Sequence, residues 1–363
     1  MPFTAAELGN ISNALLDHYM KGKAVAQNLQ DKPLMKAMKA RQKTFPGGKE
    51  FIRGNVKGDY TTAFMGFEHD DTVTYANPAN IKQWAFNWKE LHAGINLTLT
   101  ELKKAGISVV DSLNGEKTAE HSERELVEIT NLLEDKLDDM SEGADRSFND
   151  MLWRDGTQAS KVFAGVQSLV TLNPAVGITG TIDRAANRWW RNRARVGSLS
   201  AESGQSTTAS ITGPKITASA SSQTLTKTLR SEARQLRRFG GRPNLVLCGS
   251  AFLDALELEV HEKGTYTQTG FINGGKNDIG MAQISMRGVG DFEYDPTLDD
   301  LGYSKFCYML DTRFLHPMVM DGEDMKTHAP ARPPEKYVLY RAVTWTGGLI
   351  AKKLNCHGVY EVA

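Results

Sequence analysis

The sequence predicts an α+β chain of extended build, and three observations carry that reading: one very long amphipathic helix, an aromatic stretch of period two before it, and a β-rich C-terminal third. Between Ser122 and Gly156, the residues Leu126, Ile129, Leu133, Leu137, Met140, Ala144, Phe148 and Met151 advance by three or four, the one-face spacing of an α-helix. Ser122 followed by Glu125 reads as a capping box, with Asn114 an alternative start one or two turns earlier, and Gly156 reads as the stop. About 34 residues at ~1.5 Å each make a rod of about 50 Å. A rod of that length suits the spine of an extended molecule better than the wall of a compact pocket.

The other elements follow in chain order. Residues 1–47 read as an arm. Thr4 can cap a helix using Leu8, Ile11, Leu15 and Leu16, a second short helix starts at Pro33 with Leu34, Met35 and Met38 apolar, and Phe45-Pro46-Gly47-Gly48 breaks the chain. Residues 48–92 read as an extended β-ribbon. One run opens at Phe51, a Gly- and Asp-bearing stretch interrupts, and Ile81 to Lys89 returns with Trp84, Phe86 and Trp88 on one face. A two-stranded ribbon is marginal alone, so that face needs cover, either from the chain's own core or from a neighbouring subunit. A strand and short helix over 94–110 lead into the spine.

Beyond Gly156 come short strands and loops. Gly197 to Gln223 is rich in Ser, Thr, Ala and Gly and reads as a weakly structured loop. Thr224 opens a helix with Leu225, Leu229, Leu236 and Phe239 inward and its arginines outward. Asn244 to Cys248 is a short buried strand, and Ser250 caps a helix through Val260. Strands are expected at 306–310, 314–320, 337–345 and 349–362.

Composition narrows the function. The 363 residues carry 43 basic and 43 acidic side chains, whereas a dedicated nucleic-acid binder is normally basic. No run of 18 apolar residues is present, so no membrane partner is expected, and Cys248, Cys307 and Cys356 show neither disulfide nor zinc spacing. Neutrality hides segregation: residues 116–155 hold thirteen acidic against five basic side chains. Arg184, Arg188, Arg191, Arg193 and Arg195, then Lys227, Arg230, Arg234, Arg237, Arg238 and Arg242, form basic stretches. Such runs are either solvated faces or complementary surfaces on identical neighbours.

Catalytic signatures are missing. There is no phosphate loop, no His-Glu-x-x-His helix, and Gly249-Ser250 lacks the glycine pattern of a nucleophile turn, so no enzyme and no cofactor is expected. Two acidic clusters, Asp291/Glu293/Asp295/Asp299/Asp300 and Asp321/Glu323/Asp324, lack calcium-loop spacing and read as exposed loops. The densest constellation runs from Gly177 through Gly180-Thr181-Ile182-Asp183-Arg184 to Arg188-Trp189-Trp190-Arg191-Asn192. Arginines beside paired tryptophans either stack on nucleotides or fix one loop against another or against a neighbouring subunit.

The order of parts, with the Gly180-x-Ile182-Asp183-Arg184 … Trp189-Trp190-Arg191-Asn192 stretch, resembles the major capsid proteins of tailed bacteriophages. The resemblance covers the chain from about residue 48 to its end. It implies the Hong Kong-type capsid fold, also seen in encapsulins and the herpesvirus capsid floor: an arm at 1–47, an extended loop at 48–92, a peripheral domain at 93–170 with the spine, an axial domain at 171–324, and strands at 325–363 returning to the peripheral domain. By the same resemblance the chain self-assembles, as hexamers and pentamers, into an icosahedral shell around double-stranded DNA, with scaffold and portal partners, in the host bacterial cytoplasm. Intersubunit contact is expected at Trp84, Phe86, Trp88, Arg188, Trp189, Trp190, Arg191, Arg234 and Arg237. An encapsulin-like compartment shell and a nucleic-acid-binding protein are the alternatives. The Lys–Asn cross-link of some relatives has no assignable pair in this sequence.

Overall fold

The computed structural model describes residues 29–60, 62–75, 77, 80–98, 123–204, 207–262, 284–286, 290–328 and 338–363. The helix expected from Thr4 and the one expected before Val110 lie outside them. The chain divides into two compact units, one of residues 1–30, 92–146 and 327–343, the other of 31–91, 147–326 and 344–363.

In chain order the elements are α1 (Pro33–Lys39), β1 (Lys43–Phe45), β2 (Phe51–Lys57), β3 (Ile81–Asn87), β4 (Lys89–Thr98), α2 (Glu123–Trp153), α3 (Val166–Leu169), β5 (Ile178–Thr179), β6 (Ile182–Asp183), β7 (Arg193–Arg195), β8 (Thr212–Gly213) and α4 (Thr224–Arg237). Then follow β9 (Leu245–Cys248), α5 (Ser250–Glu262), β10 (Ser285–Met286), β11 (Gly290–Tyr294), α6 (Pro296–Asp300), β12 (Phe306–Leu310), β13 (Leu315–Met320), β14 (Lys326–Thr327), β15 (Val338–Ala351) and β16 (Gly358–Glu361). Among the described residues no helix is long and apolar enough to cross a membrane.

The smaller unit holds most of the spine α2, whose 31 residues span about 46 Å. Within it the His328 amide donates to the Ala342 carbonyl at 2.9 Å.

The larger unit is built on a mixed seven-stranded sheet in the order β10-β11-β9-β12-β16-β7-β8. All four residues of β9 are buried, because a central strand covered on both faces can be apolar throughout. Its period of two divides them: Leu245 and Leu247 face one core with Tyr308 and Leu310, while Val246 and Cys248 face the other with Cys307 and Met309. The second core is closed by Leu225, Leu229 and Leu236 of α4 and by Phe252 and Leu256 of α5. The inward leucines of α4 are those its spacing gave, Phe239 is half-buried, and Arg230, Arg234 and Arg237 are exposed.

The first core receives the C-terminal end of the spine. Phe148, Leu152 and Trp153 are buried there, Phe148 edge-on to Trp345 at 4.9 Å and Trp153 edge-on to Tyr308 at 5.0 Å. Asn149, polar on the spine's inward face, accepts from the Met35 amide at 3.2 Å and donates to Thr297 Oγ1 at 2.7 Å. Trp153 Nε1 donates to Asp295 Oδ2 at 2.9 Å, and Asp295 also caps α6 through the Thr297 amide. Burial raises the Asp295 pKa against these hydrogen bonds. Gly156 ends the helix region at φ +85°, and a Cβ at Gly165 would lie within 2.5 Å of the Met151, Leu152 and Arg154 carbonyls.

Three expectations need correction. The 197–223 stretch is not merely a loose loop: Ile211, Thr212 and Ile216 are buried, and β8 joins the sheet in parallel to β7. The glycines at 347 and 348 do not divide two strands. β15 runs through them because a Cβ at 347 would meet the Met318 carbonyl at 2.5 Å and one at 348 the Asn87 carbonyl at 2.7 Å, so they serve close approach, not a turn. Ser250 begins α5 rather than capping it with its own side chain: its amide donates to Asp299 Oδ1, brought from 49 residues away.

Candidate assembly surface

The ribbon pairs β2 with β3 antiparallel from Phe51↔Asn87 to Lys57↔Ile81. That register puts Ile52, Gly54, Trp84 and Phe86 on one face. Trp84 and Phe86 are 5% and 8% exposed, with ring centroids 5.5 Å apart, and Trp84 lies across Gly54, where an added Cβ would be 2.3 Å from its ring. These two aromatics are therefore covered by their own subunit. Trp88 lies past the end of β3, half-buried against the same core as Trp84 and Phe86, and its indole donates to the Lys49 carbonyl at 2.8 Å.

The Arg–Trp segment is what seats the ribbon. β5 and β6 form a hairpin whose turn residues, Gly180 and Thr181, have φ of +58° and +70°, the geometry of a tight two-residue hairpin turn. The Gly180 carbonyl accepts from the Ala85 amide at 3.0 Å, and an added Cβ at Gly180 would be 2.7 Å from the Phe86 ring. Thr181 is β-branched, so its left-handed backbone is an unfavourable one, and its hydroxyl donates to the Gln83 carbonyl at 3.2 Å. Near the end of β2, Trp189 lies against Gly58, within 2.8 Å of where a Cβ would sit.

Behind the hairpin the polar groups of the motif are spent on backbone carbonyls. Trp190, buried, donates to Thr179 O at 3.0 Å; Asn187 donates to Asp183 O at 2.7 Å; and Asn192 donates to Thr171 O at 2.9 Å. Arg191, also buried, donates to the carbonyls of Arg184, Ala175 and Ala185 and pairs with Glu202 at 2.8 Å. Arg184 is buried against Gly177 and Thr171, and burial lowers its pKa, aided by the Arg191 charge. These donors tie the segment to its own loops. Of its residues named from sequence, Arg188 is exposed and Trp189 half-buried.

Among the described residues the subunit leaves large apolar side chains uncovered singly at Leu29, Ile81, Val176, Ile178, Leu258 and Tyr294, and most densely at the far end of the ribbon. Tyr60, Phe64, Met65, Phe67, Val73 and Tyr75, between β2 and β3, are exposed, Phe64 fully so and Tyr75 by 94%. Sequence reading placed the contact at the aromatic row because periodicity reports which side chains share a face, not which face the chain itself covers. The signal that was available is the density of large apolar residues in a stretch too rich in Gly and Asp to form a core.

Buried charge fixes the surrounding scaffold, and here sequence reading missed the key residues. Glu232, 2% exposed within the arginine-rich helix, receives Arg193 and Arg195, 39 and 37 residues away. Glu259 of α5 caps α4 by accepting from the Leu225 and Thr226 amides, both at 2.9 Å. Asp311 accepts from Arg313 and the Arg242 amide; burial alone would raise its pKa, but these hydrogen bonds bring it below the usual carboxylate range. The acidic clusters are employed similarly: Asp299 takes the Ser250 amide and the Tyr294 hydroxyl, whose pKa it pushes up to about 12, and Asp324 accepts from Gln42. No group of three metal-ligating side chains occurs among the described residues. A cavity of about 560 Å³ lies beside the ribbon base, lined by Lys49, Glu50, Arg53, Asn55 and Gln83 among others.

No protein-family model matches the chain, and no curated protein matches it in sequence. Solved structures do. The cyanophage A-1(L) capsid asymmetric unit superposes with a TM-score of 0.63 at 12% identity, covering 96% of this chain and 98% of that one. The capsid of Myoviridae phage XM1 gives 0.52 at 10% identity over 94% and 95%, and the capsid of a native GTA particle 0.53 at 11% over 96% and 98%. The chain has the fold of these capsid subunits, nearly end to end.

Proposed function

We propose that this chain, having the Hong Kong-type capsid fold, is the major capsid protein of a tailed phage and works by assembly rather than turnover. The observation that carries the reading is the near-complete mutual coverage with the cyanophage capsid subunit, 96% and 98%, which leaves little of either chain for another role. In this reading identical subunits form hexamers and pentamers of an icosahedral shell around double-stranded DNA, assembled with a scaffold and a portal in the bacterial cytoplasm. Residues 48–92 act as the extended loop, 93–170 with 325–363 as the peripheral domain, and 171–324 as the axial domain.

The exposed apolar tip supports intersubunit contact through the ribbon: six large side chains left in water are poorly accounted for in a solitary subunit. Trp84, Phe86, Trp190 and Arg191 serve that contact from inside, by fixing the ribbon's base, while Arg188, Arg234 and Arg237 remain open to a neighbouring molecule. Expression with the scaffold from the same source, followed by sedimentation and negative-stain microscopy, tests the reading. Closed shells or capsomers are expected, and a monomer under every condition tried contradicts it. The contents of purified particles separate a genome shell, which holds DNA, from a compartment shell, which holds an enzyme.

A further inference from the structure

The exposed face of α4 carries Lys227, Arg230, Arg234 and Arg237 at intervals of three, four and three, one stripe about 15 Å long. Among the described residues none of the four makes an ion pair, and the one acid of the helix, Glu232, is buried and engaged by Arg193 and Arg195. The stripe does not end with the helix. Arg238 and Arg242 follow it and are exposed. Arg313 reaches the Gly240 carbonyl at 3.5 Å, and Lys353 donates to the Phe239 carbonyl. Asp311, the acid beside them, is fully buried and held by Arg313.

Helix stability explains only part of this. Cations favour the C-terminal turn, where Arg234 and Arg237 lie, but Lys227 stands in the first turn, where the helix dipole disfavours it, and neighbours along the stripe repel one another. The face also lacks what a protein interface has at its centre. Between the cations stand Thr228, Ser231 and Gln235, with no exposed aromatic or aliphatic anchor. A surface that is polar, single-signed, mostly arginine and without an apolar centre is the kind that meets phosphate.

We propose that this basic field, α4 with the turns at its C-terminal end, is a docking surface for the phosphate backbone of duplex DNA, read without regard to sequence. The inference rests on the capsid reading only for naming that duplex as the packaged one.

The test measures binding of a fluorescent 40-base-pair duplex to the purified, unassembled chain across a potassium chloride series, with assembly scored separately by sedimentation. For the wild type, log K should fall linearly with log salt. In R230Q/R234Q/R237Q, glutamine being a good helix former, the slope should be shallower by about 2.7, that is about 0.9 for each phosphate left unneutralised, at unchanged circular dichroism. The control R53Q/K57Q/K82Q, on exposed cations of the ribbon, should keep the wild-type slope. Three results overturn the proposal: no salt-dependent binding by the wild type, an unchanged slope in the α4 variant, or normal DNA binding by that variant with impaired self-association. The last would assign the face to an acidic surface of another copy. Failure of the wild type to form particles would count against the capsid reading and leave the binding result standing.

Discussion

Substitutions at the two ends of the ribbon should separate folding from assembly. Trp84→Ala removes a side chain that is 5% exposed, packed on Phe86 and laid across Gly54. Truncating a buried tryptophan to alanine costs about 3–5 kcal/mol, from reduced burial and the cavity left behind. That loss falls on the subunit itself, so the unfolding midpoint should drop and amide protection along β2 and β3 should weaken before any assembly step. Phe64→Ser with Phe67→Ser removes two rings that are 108% and 69% exposed. Surface changes of this kind move subunit stability by about 0.5 kcal/mol or less. If both rings are anchors buried by a neighbour, each is worth about 2 kcal/mol at the interface. Together that is ~4 kcal/mol, or roughly a thousandfold rise in the concentration needed for association. Denaturant unfolding of the unassembled subunit, beside sedimentation velocity of assembly reactions, reads both quantities on the same preparations. Normal assembly by the tip variant, or a destabilised tip-variant subunit, would refute the assignment of the tip as the contact. An undamaged Trp84→Ala subunit would refute the burial argument at the base.

Other expectations follow from the interior. His316, buried, and His357, whose Nδ1 accepts from the Asp311 amide, are both held at about 4, mainly by burial. The unfolded chain takes up these protons from about pH 6.5 and the folded chain only near 4, so stability is intact above 6.5 and falls between the two values, by about 3 kcal/mol for each histidine; urea titrations at pH 7.0 and 4.5 should show it, and an equal midpoint at both would contradict it. Glu232→Gln leaves Arg193 buried without its counter-charge and should cost about 3–5 kcal/mol in the same assay, whereas Arg230→Gln on the exposed side of the helix should cost almost nothing. Gly165→Ala forces a methyl against three carbonyl oxygens at the end of the spine and should destabilise by about 1–3 kcal/mol.

Periodic features were legible before any coordinates. The spine from Ser122 to Gly156 is observed as Glu123–Trp153, and Leu225, Leu229 and Leu236 face inward as their spacing required, because helix periodicity is set locally. β9 was recognisable as a short apolar run for the same reason. What escaped depends on partners distant in sequence. Nothing near Glu232 tells that it is the buried acid of a basic helix, since Arg193 and Arg195 arrive from the strand β7. The glycines at 347 and 348 look like a turn until Met318 and Asn87 are beside them. In the Arg–Trp segment the sequence marked the right residues but left their direction open. Whether an arginine grips a ligand or its own loop depends on carbonyls such as Ala175 and Ala185, whose positions only the folded chain defines.

Cryo-electron microscopy of the assembled protein, resolved well enough to follow the chain through residues 58–80, tests the central claim most directly. The account predicts a closed shell in which Phe64, Met65, Phe67 and Tyr75 of each subunit lie buried against an adjacent subunit, with Trp84 and Phe86 still packed inside their own. A shell in which the tip stays solvent-exposed, or a protein that forms no shell at all, would contradict it.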